Sequence, residues 1–111
     1  MNAPRIELSR LCDIYGALLT DKQRNALELY CNEDFSLSEI AENTGISRQG
    51  VRDQIKHAEN QLIFYENVLG LSEKSRKAGL LLDELSGLSA LPANDRTAEL
   101  LQELRGLFNF E

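Results

Sequence analysis

Apolar residues recur three and four positions apart along most of the chain, and that spacing predicts helices. Leu8, Leu11, Cys12, Tyr15, Leu18 and Leu19 mark one face of a first amphipathic helix running from about Ile6 to Leu19. Thr20 followed three residues later by Gln23 is a capping-box pair. It opens a second helix with Ala26, Leu27, Tyr30 and Cys31 on its apolar side, ending near Asn32. On this spacing both cysteines face the interior. Ser36 with Glu39 announces a short third helix that continues through Ile40 and Ala41 and stops at Gly45, a residue suited to the left-handed turn after a helix. Ser47 caps a fourth, in which Val51, Ile55, Ala58, Leu62, Tyr65 and Leu69 step alternately by four and three. A seam of roughly two and a half heptads is shorter than a coiled coil needs, so it predicts a face of an intramolecular bundle or of a dimer.

After Gly70, Ser72 is placed to cap a fifth helix carrying Leu80, Leu81, Leu82, Leu85 and Leu88. Residues 86–95 predict a turn, and Asn94 or Asp95 opens a last helix with Leu100, Leu101, Leu104, Leu107 and Phe108 on one side. No segment alternates apolar and polar residues as a half-buried strand does. The expected fold is all-α. Residues 1–70 form a helix-turn-helix domain that includes the long fourth helix, and residues 71–111 form a C-terminal helical segment for dimerisation or partner binding.

Composition narrows the function. At 111 residues, the chain has room for one small domain, or a small domain with an appendage. Twelve Lys and Arg against eighteen Asp and Glu give a net charge of −6, which opposes generic adhesion to nucleic acid or acidic lipid, so any such contact must be local. No stretch approaches the roughly 20 apolar residues of a membrane span and no leader-like pattern opens the chain, which predicts a cytoplasmic protein with no membrane partner. Cys12 and Cys31 belong to no CxxC pair and have no neighbouring His, so they are expected as reduced, packed thiols. His57 is the one histidine, follows Lys56, and reads as a solvent-facing imidazole. With no glycine-rich phosphate loop, HExxH or GxSxG, no catalytic residue, metal site or cofactor is expected, and no enzyme activity.

The informative stretch is residues 36–57, SLSEIAENTGISRQGVRDQIKH, where a two-turn helix, a glycine turn and a second capped helix follow one another. That is the helix-turn-helix plan. Ala41 is small where the two helices cross, and Ile40, Ile46, Val51 and Ile55 are the expected shared core. With Val51 and Ile55 inward, Arg48, Arg52 and Lys56 fall on the outer side at four-residue steps, with Ser47 and Gln49 at the N-terminal end. Arg binds guanine edges or phosphate through paired hydrogen bonds, Gln reads adenine, and a capped helix N-terminus offers main-chain donors to phosphate. The expected nucleic-acid-binding set is therefore Ser47, Arg48, Gln49, Arg52, Asp53 and Lys56, with Asp53 either reading a cytosine amino group or pairing with Arg52. Ala58, Leu62, Tyr65 and Leu69 form the expected dimer or bundle face.

The segment LTDKQRNALELYCNEDFSLSEIAENTGISRQGVRDQIKHAENQL resembles the last DNA-binding region of sigma-70-type transcription factors. The ISRQ…DQIKHAE core with the following LIFYENVLGL more closely resembles the YlxM family of small bacterial helix-turn-helix proteins, the likeness covering residues 6 to about 88. The resemblance implies an all-helical fold with a sigma region-4-like half, a long fourth helix and C-terminal helices. It further implies a regulatory role in the signal recognition particle pathway, without enzyme activity. Family members tend to carry Ala where this chain has Gly50 and an aromatic residue where it has Arg52. Two readings follow. One is a homodimeric DNA-binding regulator. The other is an adaptor that docks the same basic helix on the signal recognition particle protein or its RNA.

Overall fold

The computed structural model describes residues 3–88 and 95–108, all of whose regular structure is helical. The chain falls into two compact units, Met1–Leu69 and Gly70–Glu111. In the first, α1 (Arg5–Tyr15), α2 (Asp21–Cys31) and α3 (Leu37–Thr44) all pack against α4 (Arg48–Leu69). The second holds α5 (Leu71–Leu88) and α6 (Asp95–Leu107), packed on each other.

Local sequence sets the helix starts. Thr20 Oγ1 accepts the Gln23 N–H at 3.2 Å while Gln23 Oε1 accepts the Thr20 N–H at 3.1 Å, and Ser36 and Glu39 make the same reciprocal pair at 3.1 Å each way. Each box satisfies two main-chain donors that a helix start otherwise leaves exposed. The first helix is shorter than its apolar spacing predicts. It ends at Tyr15 and continues as a 3-10 turn, Gly16–Leu18, which rotates Leu19 into the core and leaves Leu18 57% exposed. A helix extended to Leu19 would present both leucines to one side, and the tighter three-residue turn selects one. The fifth helix starts earlier than Ser72, with Gly70 O accepting the Lys74 N–H at 3.0 Å, so Ser72 lies inside its first turn. Asn94 and most of the expected turn at 86–95 lie outside the described residues, and α5 itself runs on to Leu88.

The core of the first unit is aliphatic. Leu8 and Tyr15 from α1, Leu27 from α2, Ile40 from α3, and Ile55 and Leu62 from α4 are all fully buried. At about 1.5–3 kcal/mol for each large apolar side chain removed from water, these contacts dominate its stability. Tyr15 combines both kinds of tie: its ring lies 6.0 Å from that of Tyr65 and its hydroxyl donates to Glu66 Oε1 at 2.7 Å, fastening α1 to the far end of α4. Cys12 is buried as expected, whereas Cys31 is only half-buried, being the last residue of its helix. Burial pushes both thiols up to about 11, with Glu28 adding to the rise at Cys12 and Cys12 adding to it at Cys31. No helix among the described residues is long and apolar enough to cross a membrane.

Candidate nucleic-acid interface

The turn between α3 and α4 positions the interface. Gly45 ends α3 at φ 75°, ψ 16°, a left-handed conformation that a Cβ disfavours, and its N–H donates to Ala41 O at 2.9 Å. Two residues on, Ser47 Oγ accepts the Gly50 N–H at 3.0 Å and Ser47 O accepts the Val51 N–H at 2.9 Å, so Ser47 caps α4. A Cβ on Gly50 would lie 3.2 Å from that capping oxygen, so the glycine leaves the cap room. Of the expected shared core, Ile40, Val51 and Ile55 are fully buried, but Ile46 is 37% exposed. It belongs to the turn itself, and its side chain lies beside Gly50 at the start of α4.

Fixing Val51 and Ile55 inward turns most of residues 48–57 to solvent, with Gly50 and Gln54 half-buried. Ser47, Arg48, Gln49, Arg52, Asp53 and Lys56 are all exposed. Each four-residue step advances about 40° around the helix, so the three cations cover an arc of about 80° on one side. Asp53 does not pair with Arg52: its Oδ1 accepts from Gln49 Nε2 at 3.0 Å. That bond holds the amide of Gln49 along the helix surface. Among the described residues no ion pair engages Arg48, Arg52 or Lys56, whereas Arg5, Arg24, Arg76, Arg96 and Arg105 each pair with a carboxylate. His57 is exposed.

The second half of the apolar seam splits. Ala58 and Leu62 are fully buried within the unit, so they serve its own bundle and offer no surface to another chain. Tyr65 is half-buried against Tyr15, and Leu69 is 44% exposed at the helix end. Of the two alternatives for this face, dimer or bundle, Ala58 and Leu62 are used inside the unit's own bundle.

Two features escape linear reading. Glu59 is buried beside this seam, and its Oε1 accepts the Ala3 N–H at 2.8 Å, tying the segment before α1 to α4. In register terms it sits next to Ala58, close to the inward side, but nothing in the linear pattern marks it as different from an exposed glutamate. A shallow groove of about 290 Å³ also lies beside the turn, lined by Lys22 and Asn25 of α2, Asn43, Thr44 and Ile46, and Gln54 of α4. Its lining comes from three separate stretches that only tertiary packing brings together.

Residues 2–103 match the family model described as "Putative helix-turn-helix protein, YlxM / p13 like". The match runs past residue 88, where the likeness read from motifs ends. A UPF0122 protein of Clostridium kluyveri is 46% identical over 106 residues, covering 91% of each chain. One from Thermoanaerobacter sp. is 44% identical over 96 residues, covering 86% of this chain and 82% of its own. Another, from Caldanaerobacter subterraneus, is 54% identical over 70 residues, or 63% of this chain and 60% of its own.

Proposed function

Because the chain belongs to the YlxM/p13-like helix-turn-helix family, we propose that it is a cytoplasmic DNA-binding regulatory protein that lays the first turns of α4 in the major groove of a duplex. The observation that carries this reading is the grouping of the exposed face: Arg48, Arg52 and Lys56 stand at four-residue steps on one side of α4 and, among the described residues, none of them carries an intramolecular ion pair, while five arginines elsewhere do. An exposed face kept for solubility is ordinarily laced with Glu–Arg pairs at helical spacing. Cations left without partners exchange only small counterions when phosphate arrives, and the release of those counterions favours binding. Arg48 and Arg52 are placed for guanine edges or phosphates, Gln49 for an adenine edge with Asp53 steadying it, and Lys56 for the backbone. Ser47 adds the main-chain donors of a capped helix start.

The regulatory setting is the signal recognition particle pathway, as the family resemblance implies. A net charge of −6 favours the competing adaptor reading, in which the basic helix docks on the particle's RNA or protein while the acidic remainder of the surface meets a basic partner. Selection of bound fragments from a mixed genomic pool of DNA and RNA, with the particle's RNA and protein present, separates the two. Enrichment of a duplex DNA sequence is the expected result. Preferential capture of the particle's RNA or protein would replace the DNA reading with the adaptor.

A further inference from the structure

The second unit cannot complete a core alone. Among the described residues its one buried leucine is Leu82, on the side of α5 where Ala78 is half-buried, as is Leu101 of α6. Six further leucines lie in two exposed rows, Leu81, Leu85 and Leu88 on α5 and Leu100, Leu104 and Leu107 on α6, each with the spacing i, i+4, i+7, and Leu80 is exposed beside the first. These six are 43–76% exposed. Two helices of this length give one packed layer, and chains near 40 residues usually need a disulfide, a metal or association to hold a fold.

We infer that these two leucine rows are the homodimer face, closing against the same rows of a second copy to make a four-helix bundle. Three observations select a second copy over another partner. First, several of the charges on these helices are already used within the unit: Arg105 pairs with Asp83 at 2.8 Å, Arg96 with Glu99 at 3.3 Å and Arg76 with Glu73. Among the described residues the charges of the unit left without an ion pair include Lys77, Glu84 and Glu103, of mixed sign, so the face draws neither an acidic nor a basic partner strongly and what it mainly presents is apolar. Second, α6 carries a groove of about 320 Å³ between Leu100, Leu104 and Leu107, with Arg96 and Glu103 at its polar edge. That is a hole for leucine knobs of the kind the α5 row supplies, and in an isologous pair each copy gives knobs and holes at once. Third, the exposed leucine surface is on the order of 500 Å², at the upper end for a monomer's largest apolar patch, and with its polar rim it approaches the roughly 800 Å² per partner of a stable interface.

The inference stands apart from the nucleic-acid reading, and its test contains no nucleic acid. Sedimentation equilibrium of the full chain is expected to give a dimer, and the double variant Leu85→Lys, Leu104→Lys is expected to weaken association by at least about a hundredfold with helicity retained. Isotope-filtered nuclear Overhauser spectra on a mixture of labelled and unlabelled wild-type chains need no variant. Methyl contacts between copies are expected among Leu81, Leu85, Leu100 and Leu104. A monomeric wild-type chain would overturn the inference, as would a dimer whose intermolecular contacts run instead through Phe64 and Val68.

Discussion

Replacing Gly45 by alanine isolates the conformational demand of the turn that aims α4. An alanine Cβ there would meet nothing within 4 Å, so no packing change enters, and the effect comes from φ 75° alone. An L residue in the left-handed region costs about 1–2 kcal/mol. The alanine also lowers the entropy of the unfolded chain, which returns about 0.4–1 kcal/mol. The net expectation is a loss of about 1 kcal/mol, or a fall of about 4–8 °C in Tm for a unit of this size. Gly79 supplies the internal control. A Cβ there also meets nothing within 4 Å, but the residue lies in the interior of α5, so Gly79→Ala should stabilise by about 0.5–1 kcal/mol. Opposite signs thus follow from equal space and different backbone. Gly45→Asn should cost less than Gly45→Ala, because Asn tolerates the left-handed region, and Gly45→Val should cost more. Urea unfolding at fixed protein concentration, followed by circular dichroism, measures all four. If Gly45→Ala and Gly79→Ala shift stability in the same direction, the turn geometry assigned here is wrong.

Leu62→Ala removes a fully buried side chain and should cost about 2–5 kcal/mol, whereas Ile46→Ala, at a residue 37% exposed, should cost less than about 1.5 kcal/mol; equal losses in thermal unfolding would put Ile46 back in the core. The thiols give a pH dependence of known sign. With both pushed up to about 11 from an ordinary value of 9.0, the folded state holds their protons more tightly than the unfolded chain does. Their contribution is therefore fully present below pH 9 and lost as pH rises from about 9 to about 11. Urea midpoints across that range should fall more steeply for the wild type than for Cys12→Ala, Cys31→Ala, and parallel curves would refute the assignment.

Much of the fold is legible because it is dictated locally. The capping pairs Thr20–Gln23 and Ser36–Glu39, the stop at Gly45 and the burial of Val51, Ile55, Ala58 and Leu62 all follow from residues within a few positions of one another. What linear reading misplaces depends on competition between neighbours or on distant contacts. Leu18 and Leu19 both suit the stripe of α1, and only the packed core decides between them. Ile46 is apolar at a position where the tight turn leaves no interior to occupy. Cys31 has helical spacing but stands at a helix end. Glu59 reads as surface charge, yet it meets the Ala3 N–H 56 positions away. The basic residues of the interface could be named from spacing, because burying one side of a helix fixes the other. The Gln49–Asp53 bond could not, since Arg52 competes for the same carboxylate on paper. The leucines of α5 and α6 were visible as apolar rows, but whether a row lies inside a chain or between chains is a question of how much partner surface exists.

The central claim, that Arg48, Arg52 and Lys56 form one phosphate- and base-binding face, is tested most directly by duplex affinity as a function of salt. Two copies contributing three cations each predict a log–log slope of about −5 for the wild type. The variant Arg48→Ala, Arg52→Ala, Lys56→Ala, with helicity retained, should lose most of that dependence along with its affinity. A wild type that binds no duplex at low salt, or a triple variant with an unchanged slope, would contradict the account.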